Sequence, residues 1–166
     1  DQDARTEDGG HQERGKHGRE AVDRVRQPHH RLVDPAANPA TGRARRFLPV
    51  AGDPSSLGHR YVTSLLEDAS GRLWVGTGGG GLNRVDRSDA GQVRFVRVTE
   101  RQGLIDDDVT GMLADDDGSL WVSTRRGLSR FQPERDALTN VFVSDGLPSA
   151  EFESGSVARG PSLLCF

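Results

Sequence analysis

Cysteine and lysine are almost missing from this sequence of 166 residues. The one cysteine, Cys165, stands beside the C-terminal Phe166, which excludes an intrachain disulfide framework and any multi-cysteine zinc site. Lys16 is the one lysine among 22 basic residues, a bias we read as codon usage in a GC-rich genome. Positive charge is not in excess either. A formal net charge of −3 and a mean hydropathy of −0.63 give no basic surface of the kind nucleic acids select. Long apolar runs are absent: none approaches the roughly 20 residues needed to span a bilayer. No N-terminal apolar stretch has the form of a secretion signal. Helical periodicity is missing over any useful length. What is abundant is glycine, at 21 positions against 33% hydrophobic residues, which points to many tight turns and away from a helical bundle.

Residues 1–30 differ from the rest. Thirteen of these thirty are Asp, Glu, Lys or Arg, and so charged a segment is expected to be disordered or outside the fold. Four of the five histidines (His11, His17, His29 and His30) fall here, at spacings that match no usual zinc-ligand pattern. We expect no metal site.

From Arg31 onward the chain repeats itself. Val62-Thr63-Ser64-Leu65-Leu66-Glu67-Asp68 leads through Gly71 to Leu73-Trp74-Val75-Gly76-Thr77. Forty-seven residues on, Val109-Thr110-Gly111-Met112-Leu113-Ala114-Asp115 leads through Gly118 to Leu120-Trp121-Val122-Ser123-Thr124. The structural repeat positions are therefore Asp68, Gly71, Trp74 and Thr77, matched by Asp115, Gly118, Trp121 and Thr124. Arg31-Leu32-Val33-Asp34 echoes the tail of a unit, and Asp145-Gly146-Leu147-Pro148 the start of one. This divides the chain into a charged segment 1–30, repeats over 31–160 and a divergent or truncated tail at 161–166. Full units cover about 57–102 and 103–143, with partial units on either side.

Within a unit, short apolar runs alternate with turn residues. Strands are expected at Tyr61–Leu66, Arg72–Thr77, Leu82–Asp86 and Val93–Thr99. Asp68 and Asp115 are placed to bond their own downstream backbone, and Gly71 and Gly118 to take positive φ. Four antiparallel strands in about 45 residues make one β-propeller blade. The expected fold is all-β, with antiparallel four-stranded blades of an incomplete β-propeller, about three blades' worth of chain. Trp74 and Trp121 are expected to pack between neighbouring sheets, since one blade cannot bury its own faces. Open blade edges should make an isolated monomer poorly behaved.

"SLLEDASGRLWVGTGGGGLNRVD" and "GMLADDDGSLWVSTRRGLSRF" resemble the two-component regulator propeller repeat, which builds sensor regions of bacterial hybrid histidine kinases and related signalling proteins. Asp145 to Phe152 is similar to the segment that opens the closing blade in that family. The resemblance implies the last part of a propeller, a periplasmic location, a small ligand of the saccharide class, and a phosphorelay output module elsewhere in the parent chain. The missing blades or that module would be its partners. It carries over no catalytic residue. Ser123 in place of Gly76, and Arg125-Arg126 in place of a glycine turn, depart from the first unit. Both ends read as boundaries of a truncated or frameshifted reading frame.

Several motifs invite other readings. Gly76 to Gly81 satisfies G-x-G-x-x-G, but a dinucleotide site needs a helix next, and a strand is expected there. Asp106-Asp107-Asp108 and Asp115-Asp116-Asp117 suggest a calcium loop or a carboxylate pair. An EF-hand with Gly118 at its sixth place would need an acid where Leu113 stands. No nucleophile elbow occurs, and His59 is the one histidine of the repeat region. Arg125 and Arg126 are the candidate ligand-binding residues, suited to an acidic sugar or a partner carboxylate. We therefore expect no enzyme, no cofactor, no nucleic acid and no membrane span, but part of a bacterial sensor domain. The alternatives are a propeller piece of a carbohydrate-active enzyme using Asp106 to Asp108, or a non-functional truncated product.

Overall fold

The computed structural model describes residues 35–38, 43–87, 92–160 and 163–166. Residues 1–30, with the disorder expected of them and their four histidines, lie outside the described residues, as does the Arg31–Asp34 echo.

The described chain is a string of antiparallel sheets. β1 (Pro35–Asn38) and β2 (Arg43–Arg46) form a two-stranded sheet. The first full unit follows as β3 (Val62–Glu67), β4 (Leu73–Thr77), β5 (Leu82–Arg87) and β6 (Val93–Val98), lying side by side in chain order. The second is β7 (Val109–Ala114), β8 (Leu120–Thr124), β9 (Gly127–Gln132) and β10 (Ala137–Val141), in the same order. β11 (Ala158–Arg159) and β12 (Leu164–Cys165) form a last two-stranded sheet. These are the four-stranded blades expected from the repeat, with β3 to β6 each within a residue of the ends expected for the first unit, and among the described residues the sheets do not close into a ring. Even the irregularities repeat. The register of β3 on β4 shifts between Val62 and Ser64, and that of β7 on β8 between Val109 and Gly111, its counterpart.

The β3–β4 turn shows why Asp and Gly recur. Asp68 Oδ1 accepts from the backbone N–H of Ser70 and Arg72 at 2.9 and 3.0 Å, which fixes the turn, and Gly71 sits at φ +74°, where a side chain would be strained. Asp68 Oδ2 accepts from Trp74 Nε1 at 2.8 Å and from Arg72 Nε at 2.7 Å. In the second unit Asp115 Oδ2 accepts from Trp121 Nε1 at 3.1 Å, and Gly118 sits at φ +81°. In the first unit one carboxylate thus shapes the turn and holds the indole, whereas in the second Asp115 holds the indole and Asp117 Oδ1 accepts from the Ser119 N–H at 2.9 Å.

That indole joins the two units. Trp74 is 1% exposed and meets Phe131 of β9 edge-on, with centroids 5.6 Å apart. Around it, Leu82 and Val98 from the first unit pack with Leu104, Val109, Met112, Leu120 and Val122 from the second. Trp121 is only half-buried, with the Arg130 guanidinium over its ring at 5.8 Å. A smaller cluster of Leu57, Val75 and Phe95 lies on the other side of the first unit, with Phe47 edge-on to Phe95 at 5.6 Å.

Burial pushes the Asp68 carboxyl pKa up, but hydrogen bonds from Trp74, Arg72 and Ser70 outweigh it and hold the group below the ordinary carboxylate value. Its ionised form therefore stabilises the fold above about pH 4, and that contribution is lost as pH falls through the lowered value. Urea titration should find Asp68→Asn less stable than wild type at pH 7, by about 1–3 kcal/mol. The gap should close as the pH approaches 2.

Candidate functional site

The loops at one end of the blades carry Arg125, Arg126 and Asp106 to Asp108, whereas Asp115 to Asp117 lie in the β7–β8 turn at the other end. The first of these ends comprises the β4–β5 turn at Gly78 to Gly81, the β8–β9 turn at Arg125-Arg126, and the segment from Thr99 to Asp108 that leads into β7.

Each loop is built on a repeated side-chain anchor. Thr77 Oγ1 donates to the Gly81 carbonyl and Thr124 Oγ1 to the Gly127 carbonyl, both at 2.9 Å and both fully buried, so the repeated threonine closes the hairpin. Asn83 Oδ1 accepts from Gly58 N at 2.8 Å, and at the same place in the second unit Ser129 Oγ accepts from Ile105 N at 3.1 Å. Arg97 donates to the carbonyls of Ser56 and Asp53 at 2.9 and 3.0 Å. Asn140, its counterpart, donates to the Gly103 carbonyl at 3.0 Å. Sequence comparison missed these anchors because the residue types change between units while the hydrogen bond does not. The spacing held the signal, since Gly58 and Ile105, like Ser56 and Gly103, stand 47 residues apart.

The glycine run is occupied by protein. Gly79 and Gly81 N–H both donate to the Asp107 carbonyl, at 3.0 and 2.9 Å, so the donors a pyrophosphate would need are taken. A side chain on Gly80 would collide with the backbone of Gly58. The chain then enters β5, not a helix.

The acidic run is equally engaged. Asp106 Oδ1 accepts from Asp108 N at 3.0 Å, Asp107 Oδ1 accepts from Glu100 N at 2.8 Å, and Asp108 Oδ2 accepts from Arg125 Nε at 2.8 Å. Arg126 lies 3.9 Å from Glu100. Arg125 and Arg126 remain 60% and 65% exposed, so the structure brings both to one rim, each beside an acid and each open to solvent. Tyr61, 45% exposed, joins that rim, its carbonyl accepting from Gly78 N at 2.9 Å. His59 accepts from Tyr61 N at 3.2 Å and meets no acid or hydroxyl in a triad geometry. A shallow groove of about 400 Å³ lies elsewhere, between Phe47, Leu48 and Val50 on one side and Val93 and Phe95 on the other. Among the described residues no three His, Cys, Asp or Glu side chains converge where they could hold a metal ion. None of the described helices is long and apolar enough to cross a membrane.

Burial, then the nearby Glu100 and Asp106 charges, push the Asp107 carboxyl above its ordinary pKa, although the Glu100 N–H opposes them. Its ionised form costs stability at neutral pH, and that cost disappears as pH falls below the ordinary value. Asp107→Asn keeps the acceptor for Glu100 N. It should raise stability at pH 7 by about 0.5 kcal/mol, and the gain should vanish near pH 3, as read from urea midpoints at the two pH values.

Residues 56–79 and 103–126 match the family model of the two component regulator propeller. No curated protein matches the chain. Among solved structures, the extracellular domain of a protein described as a hybrid two component system from B. thetaiotaomicron aligns over 72% of this chain, with 20% identity and a TM-score of 0.55. A second such domain from the same organism aligns over 66%, with 20% identity and a TM-score of 0.53. The chain spans 16% of the length of each of these structures. The likeness is one of fold.

Proposed function

We propose that this chain, which carries two repeats of the two component regulator propeller, is part of a bacterial sensor domain outside the cytoplasm. It takes up a small ligand or a partner at the loop rim and passes a conformational signal to a separate output module of a phosphorelay. The observation that carries this reading is the pair of matched repeats folded as adjacent blades. The solved structures of like fold are extracellular domains, which supports a periplasmic or extracellular location.

At the rim, two mostly exposed guanidinium groups sit on a backbone held by the anchors described above. Such groups suit a planar carboxylate, so the ligand class we favour is an acidic saccharide. Catalysis is disfavoured by the commitments of the acidic run. Asp106, Asp107 and Asp108 each hold a loop backbone N–H or a guanidinium, whereas a glycosidase needs two carboxyl groups facing one bond.

Thermal-shift titration with an oligogalacturonate tests this reading. Millimolar ligand should raise the Tm of the wild-type chain by a few degrees, and Arg125→Ala/Arg126→Ala should abolish the rise. No shift in either protein overturns the proposed ligand class. Release of reducing ends from the oligosaccharide would favour the enzyme reading instead.

A further inference from the structure

At the rim the repeat keeps its frame and changes what the frame carries. Val62 is paired across the strands with Thr77, and Val109 with Thr124, its counterpart 47 residues on. These four are scaffold: Val109 belongs to the core that joins the units, and each threonine closes its hairpin. One step beyond each pair the residue types differ. The first unit has Tyr61 and Gly78, and the second has Asp108 and Arg125 at the equivalent places. An aromatic ring and a glycine in one unit thus correspond to a carboxylate and a guanidinium in the next.

The two pairs meet. Gly78 N donates to the Tyr61 carbonyl at 2.9 Å, and Gly78 forms an antiparallel bridge to Asp108. A Cβ at Gly78 would sit 3.0 Å from Tyr61 Cδ1 and 3.4 Å from Asp108 Oδ1. Glycine there leaves a notch with the tyrosine ring on one wall and a carboxylate oxygen on the other. Asp108 Oδ2 is committed to Arg125 Nε at 2.8 Å, which leaves Oδ1 at the notch and the two Nη groups of Arg125 for a ligand. All three side chains are open to solvent, so ring, carboxylate and guanidinium form one row. The floor of the row is held by Gly79 and Gly81, whose N–H groups donate to the Asp107 carbonyl. The row crosses from one unit to the other, since Tyr61 and Gly78 flank β3 and β4 while Arg125 follows β8.

We propose that Tyr61 is the platform on which the ring of a bound sugar lies and that Asp108 positions Arg125 beside it, an assignment that rests on the acidic-saccharide reading of the rim. A tyrosine offers the C–H face of a sugar a flat apolar surface at low conformational cost. Asp108 Oδ1 accepts a hydroxyl of the ring over the notch, and the Arg125 Nη groups take the carboxylate in a two-pronged contact. Platform and guanidinium belong to different units. A ligand that engages both spans the joint between the blades, where binding can alter how one sits on the other.

Isothermal titration calorimetry on the full chain tests this with two probes, an oligogalacturonate and glutarate, which carries carboxylates but no ring. The wild type should bind the oligogalacturonate more tightly than glutarate. Tyr61→Ser should weaken the oligogalacturonate by about tenfold and leave glutarate unchanged, and Tyr61→Phe should behave as wild type. Asp108→Ala should weaken both probes, whereas Asp108→Asn, which keeps an acceptor for Arg125 Nε, should bind them as wild type does. A wild type that binds neither probe overturns the acidic-ligand reading and the platform with it. Equal binding of the two probes by the wild type leaves that reading standing and overturns the platform alone, as does a Tyr61→Ser variant that keeps the oligogalacturonate or loses glutarate too. Asp108→Ala binding as wild type, or Asp108→Asn as weakened as Asp108→Ala, overturns the positioning role.

Discussion

A single anchored indole holds the structure together. Trp74 reaches from the second strand of one sheet into the space between sheets, where Phe131 and the apolar residues of β7 and β8 receive it. An indole there brings large apolar area but also an N–H that cannot be left unpaired. Asp68 supplies the acceptor, and the same carboxylate sets the turn that orients β4. Turn, strand and inter-blade packing are therefore coupled through one side chain. The part of it common to both units is the bond from the indole N–H to the turn aspartate.

The remaining repeat positions serve the loops. A buried threonine closes each β-hairpin next to the rim, and a polar residue on the third strand ties down the segment that enters the first strand. Departures between units have local consequences. Ser123 shares a 3.0 Å hydrogen bond with Thr110, while the first unit has Gly76 there and the hydroxyl of its Thr63 has no partner. A glycine at position 76 leaves room for Ser64 and Val109, which a side chain would displace. The first unit gives up a hydrogen bond where a neighbouring sheet comes close.

Much of this was legible in the residues. The strands, the turns and the blade architecture followed from apolar runs, Asp-x-x-Gly turns and the 47-residue offset, because those features are local. The Asp68–Trp74 bond was not foreseen, since each residue had a sufficient role of its own and nothing in the spacing joins them. The Arg97 and Asn140 anchors escaped because different side chains make the same bond. At the rim, Arg125 and Arg126 were visible as an intrusion into a glycine turn, but their pairing with Asp108 and Glu100 depends on the path of the Thr99–Asp108 loop. That path is set by Gly79 and Gly81 binding a backbone carbonyl, a contact with no side-chain signature.

The central claim is that the two units are held as one body by the indole of Trp74 seated against Phe131. A double-mutant cycle on Trp74→Ala and Phe131→Ala, read by urea denaturation, tests it most directly. The account predicts a coupling of about 0.5–1.5 kcal/mol between the two substitutions. Additivity within about 0.3 kcal/mol would contradict it.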